Sequence, residues 1–94
     1  MRKYQLLYII DIDVAPEAKE ETINKFNSLI ETLGGTVSEV EKWGARNFAY
    51  PINRKKEGYY VLVNFEGKPE ANDEIERQMR INENIVRQMI TLRE

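Results

Sequence analysis

A chain of 94 residues with no cysteine and no histidine has room for one hydrophobic core, but disulfides, thiol chemistry, Cys/His zinc sites and a histidine general base are excluded. Its formal charge of −2 is no sign of nucleic-acid binding, so the distribution of charge matters more than the sum. Residues 11–42 carry a net −5, residues 44–58 a net +3, residues 1–10 a net +2 and residues 59–94 a net −2, and a local basic patch can meet phosphate although the whole chain is acidic.

The opening MRKYQLLYIIDID joins two basic residues to a short apolar run that ends at Asp11 and has no small-residue cleavage site. A strand accounts for it better than a signal peptide, and the chain is expected in the cytoplasm, with no membrane partner. From Lys3 to Asp11, Tyr4, Leu6, Tyr8 and Ile10 alternate with Gln5, Leu7, Ile9 and Asp11. Both sides are apolar in the middle, which predicts a central strand. Pro16 suits a first helical position, with Glu17, Glu20 and Glu21 near the positive end of the helix dipole. Ile23, Phe26, Ile30 and Leu33 then recur at helical spacing, predicting a helix over 16–33, and Gly34 or Gly35 supplies a left-handed cap.

Thr36 to Tyr50 reads as one long strand whose alternation changes phase between Val37 and Val40, so a bulge is expected near Ser38 to Glu41. Along it Arg46, Phe48 and Tyr50 share one side, and Ala45, Asn47 and Ala49 the other. Arg54, Lys55 and Lys56, closed by Gly58, fit an exposed basic connection between two antiparallel strands. The next strand, Gly58 to Glu66, turns Tyr59, Val61, Val63 and Phe65 inward and Tyr60, Leu62 and Asn64 outward. A turn at Gly67, Lys68 and Pro69 leads into a helix over 70–80 with Ala71, Ile75 and Met79 as its stripe. Asn82, Glu83 and Asn84 break it, and Ile85 to Leu92 forms the last strand.

The order βαββαβ predicts an α+β fold: a ferredoxin-like split β-α-β sandwich, one domain over 1–94, with a four-stranded antiparallel sheet and two helices on one face. The other face would carry Leu7, Ile9, Tyr60, Leu62 and Met89. A contiguous apolar group on an open sheet points to a protein partner.

Catalytic chemistry finds little to work with. Asp11 and Asp13 have no base or nucleophile beside them and suit the turn before a helix. No Walker loop, dinucleotide fingerprint or calcium-loop series occurs, and no lysine-bearing helix start follows Gly34-Gly35. No cofactor, metal or small-molecule substrate is expected. The RNA-recognition motif shares this strand order and reads single strands with third-strand aromatics. Of its pattern Gly58, Tyr59 and Leu62 fit, whereas Glu57, Tyr60, Val61 and Asn64 do not, so the stacking platform is missing and base-stacking recognition is not expected.

Four stretches carry a resemblance: Met1-Arg2-Lys3-Tyr4; Trp43-Gly44-Ala45-Arg46-Asn47-Phe48-Ala49-Tyr50-Pro51-Ile52; Gly58-Tyr59-Tyr60-Val61-Leu62; and Arg80-Ile81-Asn82-Glu83-Asn84. Over its whole length the chain resembles the bacterial small-subunit ribosomal protein six family. The second stretch is the specific one, close to the family's run of Gly, a basic residue, an apolar and a small residue, then Tyr-Pro-Ile. Asn47 stands where a second basic or polar residue is usual, and Phe48 where leucine is commoner.

The resemblance implies a ferredoxin-like domain that binds the central domain of 16S ribosomal RNA jointly with small-subunit ribosomal protein eighteen, with an architectural role and no catalysis. Arg2, Lys3, Arg46, Arg54, Lys55, Lys56, Arg80 and Arg87 are the expected phosphate contacts, Arg46 and Arg87 the most rigidly held. Such contacts position a protein without reading sequence, so specificity falls to RNA shape and to the partner. Some relatives carry a long acidic C-terminal tail; here Arg93-Glu94 comes last, and tail modification is not expected. The alternative is a ferredoxin-like regulatory module that binds a small metabolite. It would want a glycine-lined pocket at the first strand–helix turn, and Ile12, Asp13, Val14, Ala15 and Pro16 offer none. A small enzyme of the same fold is the third reading, disfavoured by the missing histidine and cysteine.

Overall fold

The computed structural model describes residues 1–52 and 55–93, with the side chains of residues 49–52 outside the description. The elements are β1 (Arg2–Asp11), α1 (Pro16–Thr32), β2 (Thr36–Ile52), β3 (Lys55–Gly67), α2 (Pro69–Arg80) and β4 (Ile85–Leu92). They form one antiparallel sheet in the order β2-β3-β1-β4, as the sequence predicts. β1 lies between β3 and β4, with Leu6 opposite both Val63 and Ile90. That central place explains why both sides of β1 are apolar.

One side of the sheet packs against the helices. Tyr4, Leu6, Tyr8 and Ile10 of β1 and Val61, Val63 and Phe65 of β3 meet Ile23, Phe26 and Ile30 of α1 and Ile75 and Met79 of α2, all buried. Tyr4 and Phe65 pair across β1 and β3 with rings 5.6 Å apart, and Tyr8 ties the sheet to α1 through Phe26 at 6.1 Å. Each such side chain contributes about 1.5–3 kcal/mol on burial. An exposed ion pair such as Lys42–Glu20, at 2.7 Å between β2 and α1, gives at most about 1 kcal/mol, so the helices are held by the core.

α1 starts at Pro16, whose missing N–H costs nothing there, after an extended Ala15. It stops at Gly34, which takes the left-handed φ of +89°, while the Gly35 N–H donates to the Ile30 carbonyl at 2.9 Å. In β2 the pairing with β3 slips between Val37 and Glu39, which is the bulge expected near Ser38.

Two boundaries differ from the sequence reading. β3 begins at Lys55, and Ile52 pairs with Lys55. Lys55 and Lys56 therefore belong to a strand and not to an exposed connection; their polar side chains give no alternation by which a strand could be read. Arg54 lies outside the described residues. A second slip, between Lys42 and Gly44, was not anticipated. Gly44 adopts φ +81° there, a conformation costly for any residue with a β-carbon and common at bulges.

Candidate nucleic-acid and partner interface

The uncovered side of the sheet is built in rows. In the first, Leu62 of β3, Leu7 of β1 and Met89 of β4 stand in register, with Glu41 of β2 beyond Leu62. In the second, Tyr60, Ile9 and Arg87 line up, and in the third Arg46, Gly58 and Asp11. All five expected apolar residues thus lie on this side. They differ in what they offer: Met89 is 55% exposed, whereas Ile9 and Leu62 are each only 7% exposed. A shallow cleft of about 300 Å³ runs along Leu7, Ile9, Tyr60, Arg87, Gln88 and Met89.

The slip at Trp43 changes this surface. The indole stacks on the Tyr60 ring at 6.4 Å and 11° between planes, and Phe48 leans on Tyr60 at 6.3 Å and 46°. The indole N–H donates to the Glu41 carboxylate at 3.2 Å. Three aromatics from two strands therefore gather at one corner. Beside them Trp43, Arg46, Asn47 and Tyr60 line a recess of about 400 Å³. Third-strand motif matching could not find this group, because two of its rings come from β2. The signal available was Trp43 next to Gly44, the pair that permits a bulge.

The expected phosphate contacts fall into separate places. Arg46 and Arg87 are exposed and share the open face, opposite Gly58 and Ile9 respectively. Arg80 ends α2 in the helical layer, 3.6 Å from Glu76. Lys56 is exposed near the start of β3. Arg2 pairs with Gly67 and Asp11 with Gly58, so at ~3.3 Å per residue Arg2 and Lys3 lie about 30 Å from the Asp11 end of the sheet.

Lys55 is engaged within the domain. Its ammonium donates to Asp11 Oδ1 at 2.7 Å and to Asp13 Oδ2 at 2.6 Å. The Lys55 hydrogen bond, and next the backbone N–H of Asp13, hold the Asp11 carboxyl below its ordinary range; the two carboxylates, Asp11 foremost, push Lys55 up. A cleft of about 450 Å³ beside this pair is lined by Ile12, Asp13, Asn47, Lys55, Lys56 and Glu57, with no glycine among them. Asp11 and Asp13, unplaced by catalytic reasoning, thus anchor the foot of the β2–β3 hairpin to the β1–α1 turn.

Among the described residues no group of acidic side chains could hold a metal ion, and no helix is long and apolar enough to cross a membrane. A split β-α-β sandwich with one bare sheet face, on which an apolar strip meets an aromatic and arginine corner, is a ferredoxin-like domain. Residues 3–91 match the family described as Ribosomal protein S6. The chain is 50% identical to a small ribosomal subunit protein bS6 from an Exiguobacterium species, over 97% of this chain and 96% of that one. It is 44% identical to the bS6 protein of Clostridium novyi, over 96% and 95%. The crystal structure of 30S ribosomal protein S6 from Thermotoga maritima superposes with a TM-score of 0.94 at 30% identity, covering 98% of this chain and 87% of that one. The chain belongs to the ribosomal protein S6 family, structural proteins of the small ribosomal subunit, and its place is the cytoplasmic ribosome.

Proposed function

We propose that residues 1–94 act as one architectural, non-enzymatic domain that binds the central domain of 16S ribosomal RNA together with small-subunit ribosomal protein eighteen. The observation that carries this reading is the bare sheet face, where an apolar strip runs into exposed Arg46 and Arg87. Leu7, Tyr60 and Met89 offer the contact surface for the protein neighbour, over a floor made by Ile9 and Leu62. Arg46, Lys56, Arg80 and Arg87 offer charge to phosphate at one end, and Arg2 and Lys3 offer it at the other; Arg54, outside the described residues, is proposed as a further phosphate contact. Lys55 contributes less, because two carboxylates already share its charge.

With so few cations on an acidic body, affinity for RNA alone is weak and falls with salt. Titration of a central-domain ribosomal RNA fragment, with and without the partner protein, across a salt series tests this. Tight binding only with the partner, weakening as salt rises, supports the joint site. Absence of binding in both arms would sink it.

A further inference from the structure

The recess at the aromatic corner has a chemistry of its own, apart from the apolar strip. Tyr60 backs one face of the Trp43 indole, yet Trp43 remains 42% exposed. The indole therefore keeps open surface against which another ring can lie. The hydrogen bond from the indole N–H to Glu41 fixes the ring's orientation before anything binds, which lowers the ordering cost of stacking. Arg46 is exposed and makes no ion pair among the described residues, so its guanidinium is open to a phosphate, which it can grip through two parallel N–H donors. Asn47 follows Arg46 along β2 and turns its side chain to the other side, toward the Lys55 cleft, so the polar grip of the recess falls to Arg46. Among the described residues that line the recess none is acidic, Glu41 standing only at the indole edge, and its size of about 400 Å³ lies in the range of small-ligand clefts, about 300–1,000 Å³.

We propose that this recess receives one unpaired RNA nucleotide, the base laid against the exposed part of the Trp43 ring and its phosphate held by Arg46. The proposal rests on the RNA-binding reading above and adds a particular site to it. A cation and a flat aromatic ring converging on one recess match the phosphate and the base of a nucleotide. An apolar protein side chain would leave the guanidinium without a partner.

Trp43 is the one tryptophan of the chain, so it reports on its own site. The test follows its emission as the partner protein is added, and then the central-domain RNA fragment. Quenching that appears only with RNA supports the proposal. Quenching complete on partner addition, with none added by RNA, would mean that protein covers the recess and would overturn it.

A parallel RNA-binding measurement uses Trp43→Leu and Trp43→Phe, each first shown to keep the wild-type thermal midpoint and affinity for the partner. Loss of one stacked base weakens RNA binding about tenfold in Trp43→Leu, and Trp43→Phe recovers most of it. Wild-type RNA affinity in Trp43→Leu would remove the nucleotide site while leaving the RNA-binding reading intact. RNA binding absent from the wild type as well would remove both.

Discussion

The ring of Phe48 lies over the backbone of Gly58: a β-carbon added to Gly58 would stand 2.6 Å from the ring's Cζ and would also run into Cγ2 of Ile9. Phe48 thereby fills space that a side chain would otherwise take, and it reaches Tyr60 from there. Glycine in a strand is ordinarily a weakness that alanine would repair. Here the Ile9 methyl is close to its own backbone and nearly buried, so it cannot yield cheaply. Gly58→Ala is expected to destabilise the domain by about 1–3 kcal/mol, the usual cost of overpacking. Urea unfolding of the two proteins measures the difference.

The Tyr8 hydroxyl is buried and finds no hydrogen-bond partner among the described residues. Burial, reinforced by the charge of Glu20, pushes its ionisation well above the ordinary tyrosine value. A buried polar group without a partner costs about 1–3 kcal/mol. Tyr8→Phe keeps the ring against Phe26 and removes that cost, so it should unfold at equal or higher denaturant concentration than the parent. A clear loss of stability would show that the hydroxyl is satisfied in solution.

Acid sensitivity follows from the Lys55 clamp. Asp11 has a lower proton affinity folded than unfolded, so its contribution to stability is complete above the unfolded carboxyl value of about 3.9 and fades as pH falls through the lower folded one. Lys55 is raised, so its part is present below about 10.4 and is lost only as pH rises through the folded value. Asp11→Asn should lower stability by a constant amount between about pH 5 and pH 8, and the gap should close below about pH 4. Unfolding curves at stepped pH give this directly.

Among the apolar residues of the open face, Met89 is the useful probe. Leu62→Glu would bury a carboxylate at a site 7% exposed, and lost partner binding could then reflect unfolding. Met89 is 55% exposed, so Met89→Glu should leave the thermal midpoint nearly unchanged while weakening association with the partner protein at least tenfold. Unaltered association would move the protein contact off this face.

Arg46→Ala removes an exposed side chain and should change stability by no more than about 0.5 kcal/mol. Assembly on RNA should weaken, with a salt dependence shallower by about one unit of slope. The matched control is Lys55→Ala. It breaks two ion pairs inside the domain, so its main effect should fall on stability, with the salt slope little changed.

Most of the architecture could be read from side-chain phase. β1, α1, α2 and β4 announce themselves because their apolar residues recur at a period of two or near three and a half, and the bulge at Ser38 shows in the three-residue step from Val37 to Val40. The slip at Trp43 is silent for a physical reason: Gly44 has no side chain, so phase cannot be followed through it. That silence hid the aromatic corner, since only the slip puts Arg46 and Phe48 on the same side as Trp43 and Tyr60. The engagement of Lys55 with Asp11 spans 44 positions and exists only once the hairpin foot meets the β1–α1 turn. The near-burial of Ile9 and Leu62 on an uncovered face depends likewise on which neighbours the register puts beside them.

The strand order leaves β2 as an outer edge, and β2 is 17 residues long. A flat edge of that length would invite a second copy to zip on, and a free ribosomal protein awaiting assembly would be a seed for aggregates. The slips at Ser38 and Trp43 interrupt the straight run of this edge, and Glu39, Glu41 and Lys42 add charge along it. The irregularity that brings Arg46 and Phe48 round to Trp43 on the open face therefore also helps to keep the unassembled protein from pairing with itself.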